Sequence, residues 1–143
     1  MGVPARISIV TLGVQDVRRS SAFYEALGWE RTSSGGDEIC WFRTADSYLG
    51  LFGYGTLAQD AGLPDAPRAP FGGVTLAICV GSEEECTSTI EAAVEAGARV
   101  LKAAQRAEWG GFSGYFADPD GHPWEVAFNP YFPLGEDGRV PIP

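Results

Sequence analysis

The most informative segment of the chain reads Trp109-Gly-Gly-Phe-Ser-Gly-Tyr-Phe-Ala-Asp-Pro-Asp-Gly-His-Pro-Trp-Glu-Val-Ala-Phe-Asn-Pro130. It predicts two β-strands joined by a tight turn, because Asp118-Pro-Asp-Gly121 places Asp, Pro and Gly where a type I turn prefers them. Aromatic and β-branched residues flank the turn on both sides, as is typical of strands. The second predicted strand carries a carboxylate, Glu125, at its centre. Because an unpaired buried carboxylate is costly, Glu125 must have a partner, a proton or a metal ion.

This hairpin resembles the last two strands of the vicinal oxygen chelate superfamily, which includes glyoxalase I, bleomycin-resistance proteins and extradiol dioxygenases. The run Asp118-Pro-Asp-Gly-His-Pro-Trp-Glu125 carries the resemblance, which extends over roughly residues 6–130. The resemblance implies that Glu125 holds the position of a metal ligand in the metal-dependent members. It also implies that Tyr115 has the spacing of the tyrosine that assists catalysis in extradiol dioxygenases. The motif indicates the family and does not indicate which reaction, if any, is catalysed.

A pattern of strand, helix cap, helix, glycine and strand occurs twice, at a separation of about 65 to 70 residues. Asp16 caps the first predicted helix and Gly28 ends it, whereas Ser82 with Glu85 forms a capping box for a second helix that ends at Gly97. The duplication predicts an α+β fold of two tandem β-α-β-β-β modules, and the resemblance implies curved mixed sheets around a cavity. Besides the hairpin, the predicted strands are 7–14, 29–32, 38–43, 48–54, 74–80 and 99–103.

The chain of 143 residues is expected to form a single domain, with one module at about 6–54 and the other at about 74–130. Three prolines between residues 55 and 73 predict a linker, in which 57–61 is a candidate short helix. Residues 131–143 predict a Pro-rich C-terminal arm that lies on the surface or reaches a partner subunit.

Composition excludes several classes of partner. The net charge of −9 argues against binding of a nucleic acid backbone and is compatible with a cationic ligand. No apolar run is long enough to span a membrane, and residues 1–6 lack the apolar core of a signal peptide, so a cytoplasmic location is expected. The three cysteines, an odd number without metal-binding spacing, are expected to be small buried side chains.

A catalytic zinc or iron site needs at least three protein ligands and an open position. The resemblance implies ligands on the first and last strands of each module, where this chain has Ile9, Thr75 (or Gly73 in a shifted register) and the carboxylate-free run 49–53. Only Glu125 remains of the set, so neither a metal nor another cofactor is expected. The single histidine, His122, lies on the turn at an odd separation from Glu125 and should not share its face.

What remains is a mostly apolar and aromatic cavity, as small-molecule sites are. Strand alternation and the resemblance together predict that it is lined by Ile9, Thr11, Trp41, Leu51, Thr75, Ala77, Tyr115, Glu125 and Ala127. Tyr115 and Glu125 share a face only if opposed residues have numbers summing to 240, which requires a one-residue bulge near the turn. The alternatives are a core tyrosine and core tryptophans, and a Glu125 satisfied by backbone or arginine groups.

Two classes of function compete. The first is a binding protein that holds an aromatic or cationic small molecule without metal, as bleomycin-resistance proteins do. The second is a lyase, isomerase or dioxygenase, with an atypical metal site or with Glu125 as general base and Tyr115 as donor. A structural or regulatory role is a third interpretation. A homodimer is also expected, because superfamily members commonly pair modules across a two-fold axis and open sheet edges need covering.

Overall fold

A computed structural model describes residues 2–143. The chain divides into two compact units, and the boundary in the sequence lies between Asp65 and Ala66. The first unit contains β1 (Ile9–Val14), α1 (Val17–Ala26), β2 (Arg31–Gly35), β3 (Ile39–Arg43), β4 (Tyr48–Gly53) and α2 (Tyr54–Asp60). The second unit contains β5 (Leu76–Cys79), α3 (Glu83–Ala96), β6 (Arg99–Arg106), β7 (Phe112–Ala117) and β8 (Pro123–Phe128).

The two units repeat one topology. Each has a four-stranded mixed sheet, in the order β1-β4-β3-β2 in the first unit and β5-β8-β7-β6 in the second. In both sheets the first and last strands of the unit are parallel neighbours, and the remaining pairs are antiparallel. The predicted α+β fold and the predicted duplication are therefore confirmed.

Helix α1 begins and ends where its sequence predicts. The Asp16 side chain accepts hydrogen bonds from the backbone N–H groups of Arg18 and Arg19 at 3.0 and 3.2 Å, which satisfies two donors of the first turn. Gly28 follows the helix with φ of 90°, a conformation that glycine adopts without strain. The helix covers one face of the first sheet, where Phe42 and Leu51 are fully buried.

Helix α3 has a capping box with one altered contact. The Ser82 hydroxyl accepts a hydrogen bond from the Glu85 backbone N–H at 3.0 Å, as predicted, whereas the Glu85 carboxylate accepts one from Gly81 at 2.8 Å instead of from Ser82. Cys86, Ile90 and Ala93 of this helix are buried against the second sheet. Within residues 2–143, every helix is too short or too polar to cross a lipid bilayer.

The hairpin of β7 and β8 has the register that places Tyr115 opposite Glu125. The backbone N–H of Asp118 donates to the carbonyl of His122 at 3.0 Å, so three residues form the loop. Gly121 closes this loop with φ of 87°, which is the residue that follows a type I turn in a three-residue hairpin with a bulge. The predicted bulge is therefore confirmed.

Several element boundaries differ from those predicted. The strand predicted at 29–32 begins at Arg31 instead, because Trp29 packs against the C-terminal end of α1. The Trp29 N–H donates to the Tyr24 carbonyl at 3.2 Å, and the rings of the two residues lie 5.5 Å apart. The short linker helix forms earlier, at Tyr54–Asp60, since it follows β4 directly. Strands β1 and β5 begin two residues later than predicted, and β6 extends three residues further.

Candidate functional site

The second sheet has one face covered by α3 and one face directed away from it. The covered face holds Phe116, Trp124 and Val126, which are 1%, 4% and 0% exposed. Gly114 of β7 lies so close to the helix that an added Cβ would stand 2.7 Å from Ile90 Cδ1. Because successive side chains of a strand alternate, the residues between these positions lie on the other face.

Four aligned residues cross that other face in a row, one from each strand. Ala77 of β5 is paired with Glu125 of β8, which is paired with Tyr115 of β7, which is paired with Lys102 of β6. The neighbouring row contains Ala127 and Ser113. The structure thus brings together Ala77, Tyr115, Glu125 and Ala127 from the predicted set.

Tyr115 and Glu125 are directly opposed on neighbouring strands, and both side chains are half-buried. Burial raises the pKa of Tyr115, and the negative charge and the hydrogen bond of Glu125 raise it further. The phenol therefore stays protonated at neutral pH and donates to the carboxylate. Glu125 therefore has a donor beside it on its own sheet, the phenol of Tyr115.

The three cysteines have unreactive surroundings. Burial is the main cause that raises the pKa of each thiol, of Cys40, Cys79 and Cys86 alike. Cys86 lies on the buried face of α3 with its sulfur 3.2 Å from the carbonyl oxygen of Val126, and Cys40 is fully buried. Cys79 lies two residues along β5 from Ala77 and is half-buried, where the charge of Glu125 also raises its thiol pKa. A raised pKa leaves little thiolate, so these side chains act as small apolar groups.

The first sheet has a corresponding row with different chemistry. Val14 at the end of β1 and Val80 directly after β5 are equivalent positions of the two units, because each lies two residues before the N-cap of the following helix. Counting back three residues from each makes Thr11 equivalent to Ala77. Thr11 is paired with Gly50 of β4, so Gly50 holds the position that Glu125 holds in the second unit.

The neighbours of Gly50 on this row leave little space for a side chain at that position. A Cβ at Gly50 would lie 3.0 Å from Thr11 Oγ1 and 3.3 Å from Trp41 Nε1. By strand alternation, Ile9, which is 50% exposed, shares this face with Thr11.

Two predicted lining residues depart from these rows. Leu51 lies in the row of Leu12 and Cys40, on the α1 face of the first sheet, and is 0% exposed. The prediction that Leu51 shares a face with Thr11 and Trp41 is wrong, because the helix packs on the other side of β4. Thr75 precedes β5 and is exposed, so it belongs to no paired row.

The residues present do not fit a metal site. Glu125 has Ala77 and Tyr115 as its paired neighbours, and the corresponding position of the first unit is Gly50. Throughout residues 2–143, no three His, Cys, Asp or Glu side chains lie close enough to hold a metal ion. Three protein ligands are the minimum for a catalytic zinc site, and this set offers fewer.

His122 lies on the hairpin turn, as predicted. Its backbone N–H donates to the Asp118 carboxylate at 2.9 Å, and its Nε2 lies 3.1 Å from the Arg68 guanidinium. Arg68 also donates to the Asp120 carbonyl at 3.2 Å, so a linker arginine binds the turn. Arg68 is separated in sequence from Asp120 by 52 positions and from His122 by 54, so no local sequence pattern reveals these contacts.

Lys102 was not among the residues predicted for the site. Lys102 is paired with Tyr115 of β7 because the register between β6 and β7 shifts twice. One shift lies between Val100 and Lys102, and the other lies between Lys102 and Gln105. Simple alternation along the strand does not predict such shifts. One signal was available, since Lys102 is the single lysine of the sequence.

Two surface concavities of the second unit lie elsewhere, beside the N-terminal part of α3. Their volumes are about 330 and about 320 Å³, and both are lined by Glu83 and Phe112. Neither is lined by Glu125 or Tyr115. They are therefore separate from the row described above.

Residues 6–126 match the Glyoxalase/Bleomycin resistance protein/Dioxygenase superfamily. A glyoxalase-related enzyme from Fulvimarina pelagi is 35% identical, with a TM-score of 0.86 over 97% of this chain and 99% of that chain. A glyoxalase/bleomycin resistance protein/dioxygenase family enzyme from Burkholderia phytofirmans is 20% identical, with a TM-score of 0.77 over 87% and 98% of the two chains. Lactoylglutathione lyase from Agrobacterium tumefaciens is 23% identical, with a TM-score of 0.65 over 88% and 95%. No curated protein matches the chain.

Proposed function

Because the chain belongs to the glyoxalase/bleomycin resistance protein/dioxygenase superfamily, we propose that it binds a small aromatic or cationic molecule without a metal ion. The proposed anchor is the Glu125–Tyr115 pair on the face of the second sheet that is directed away from α3. The observation that carries the proposal is the half-buried carboxylate at mid-strand, paired with Tyr115 on one side and with Ala77 on the other. The small side chain of Ala77 adds no bulk beside the carboxylate, which supplies the charged contact for the ligand.

The energetics favour a ligand with a cationic or donor group. A charge-assisted hydrogen bond to a carboxylate contributes about 1.5–3 kcal/mol, and stacking on an aromatic ring adds roughly 0.5–1.5 kcal/mol. Tyr115 offers such a ring next to the carboxylate. Ala77 and Ala127 are proposed apolar contacts on the same face, and Thr75 is a further proposed contact before β5. In the first unit, taken by itself, Ile9, Thr11 and Trp41 are proposed ligand-binding residues on the row of Gly50.

The test is calorimetric titration of wild type and Glu125→Gln with matched neutral and cationic aromatic molecules, such as benzyl alcohol and benzylamine. We expect the substitution to weaken benzylamine about 10-fold or more, because about 1.4 kcal/mol corresponds to one decade of affinity. Benzyl alcohol should bind nearly equally to both proteins. Glu95→Gln, which removes a charge from the exposed face of α3, is the matched control. Equal affinities for both molecules in both proteins would make Glu125 a structural carboxylate.

A second candidate function is metal-free acid–base catalysis, as a lyase or isomerase. It is favoured by the adjacent proton acceptor and protonated donor, and by the likeness to a glyoxalase-related enzyme. Glu125 would act as general base on a C–H bond next to a carbonyl group, with Tyr115 as donor. In that case Glu125→Gln should lower turnover by about 10²–10⁴-fold while a neutral substrate still binds. Turnover that survives the substitution would eliminate this candidate.

A further inference from the structure

Lys102 extends the polar row of the second sheet. It is the single lysine of a chain whose net charge is −9. It is paired with Tyr115, and Tyr115 is paired with Glu125. Because directly opposed residues of neighbouring strands point to one face, the three side chains lie side by side in the order Lys, Tyr, Glu.

Among residues 2–143, the ion pairs do not include Lys102, whose side chain is exposed. Arg106 of the same strand, in contrast, lies 3.7 Å from Glu83. The partner of Glu125 is Tyr115, which carries no charge at neutral pH. Opposite charges thus stand two strands apart, about 10 Å between Cα atoms, with an aromatic ring between them.

We propose that the ligand is a zwitterion with a ring between its charges. Its anionic group, a carboxylate or a similar oxyanion, would bind the Lys102 ammonium. Its ring would lie against Tyr115, and its cationic or donor group would bind Glu125. The proposal rests on the proposed function and names the class of ligand for that site.

A structural role would explain Lys102 differently. Strand β6 is at the end of its sheet, and a lysine on an edge strand discourages pairing with another chain. That role requires a charge on the strand and no contact with a ligand. The two roles therefore differ in what the removal of the charge does to binding.

The experiment titrates wild type, Lys102→Gln and Glu125→Gln with 4-(aminomethyl)benzoate, benzoate and benzylamine. In Lys102→Gln we expect the zwitterion and benzoate to bind about 10-fold more weakly and benzylamine to be unaffected. In Glu125→Gln the zwitterion and benzylamine should weaken similarly, and benzoate should not. Arg139→Gln, which removes an exposed charge near the C-terminus, is the control and should change none of the affinities.

The outcomes separate this inference from the proposed function. If Glu125→Gln weakens benzylamine but Lys102→Gln changes neither benzoate nor the zwitterion, Lys102 is an edge-strand charge and only the zwitterion inference fails. If Glu125→Gln changes no affinity, the proposed anchor fails and the inference fails with it. Failure of the zwitterion to bind wild type would also overturn the inference.

A labelling measurement on the wild-type protein avoids any dependence on variants. Since Lys102 is the single lysine, an amine-acetylating reagent modifies one side chain, and peptide mass analysis separates it from the α-amino group. We expect benzoate to slow acetylation of Lys102 several-fold and benzyl alcohol to leave the rate unchanged. Equal rates with benzoate and with benzyl alcohol would overturn the inference.

Discussion

The pairing of Tyr115 with Glu125 across β7 and β8 couples two polar side chains. A carboxylate at the centre of a strand is costly unless a donor accompanies it, and the phenol is that donor. The same contact explains the raised pKa of Tyr115, because ionising the phenol would place a second negative charge beside the first. The phenol of Tyr115 is therefore expected to stay protonated across neutral pH.

The titration of Tyr115 tests this pair directly. In wild type we expect Tyr115 to ionise above the ordinary pKa of a tyrosine, and in Glu125→Gln its pKa should fall. The pKa should nevertheless stay above the ordinary value, since burial is the larger cause and remains. NMR titration of ¹³C-labelled tyrosine, assigned with Tyr115→Phe, measures both values. An unchanged pKa in Glu125→Gln would contradict the hydrogen bond.

The sign of the stability effect follows from the same shift. Tyr115 has a higher pKa folded than unfolded, so its contribution to stability is fully present below the unfolded pKa. It is lost as the pH rises through the folded pKa, in the alkaline range. Near neutral pH the phenol is protonated in both states, and its ionisation adds no pH dependence there.

Among the elements, the contact of α3 with β7 depends on the absence of a side chain at Gly114. A Cβ there would lie 2.8 Å from the Ala104 backbone nitrogen and 2.8 Å from the Lys102 carbonyl oxygen. It would also lie 2.7 Å from Ile90 Cδ1. Backbone atoms of the neighbouring strand cannot move aside without disturbing the sheet.

Gly114→Ala should therefore lower the free energy of unfolding by about 1–3 kcal/mol, as overpacking of a core does. Urea denaturation of the purified variant measures the change. Gly72→Ala is the matched control, because a Cβ at Gly72 has no atom within 4 Å and its φ is not positive. A Gly114→Ala protein as stable as the control would mean that the helix adjusts its position at little cost.

For the whole molecule, the donor set predicts the metal content. Glu125 is the one acidic side chain of its row, and residues 2–143 contain no cluster of three metal-binding side chains. We expect untagged protein to purify without stoichiometric zinc, iron, nickel or manganese. Elemental analysis that finds about one metal per chain, lost in Glu125→Gln, would overturn this expectation.

Assembly is predicted from the sheet edges. Each of the two sheets ends in strands that have a partner on one side only, namely β1 and β2 in the first and β5 and β6 in the second. Unpaired edges favour association, and symmetric dimers are its commonest form. We expect light scattering at micromolar concentration to give the mass of a homodimer. A monomer mass would show that the edges are protected by other means.

Short-range features were readable from the residues alone. The Asp16 and Ser82 caps, the left-handed glycines 28, 97 and 121 and the hairpin turn each involve residues a few positions apart, so their chemistry is local. The repeat of these signals predicted the duplicated topology. The pairing of Tyr115 with Glu125 was also predicted, although that register was chosen because of the family resemblance.

The rest depended on tertiary packing, because alternation says which residues of a strand share a face and not which face meets a helix. From the sequence alone, either Leu51 or Gly50 could line a cavity. The structure decides between them, because α1 packs on the face of the sheet that carries Leu51. Lys102 joins the Tyr115–Glu125 row only through register shifts in β6, and these arise from pairing with a strand beyond the next loop. Sequence therefore identified the carboxylate and its tyrosine, whereas the assembled sheet decided which charge stands beside them.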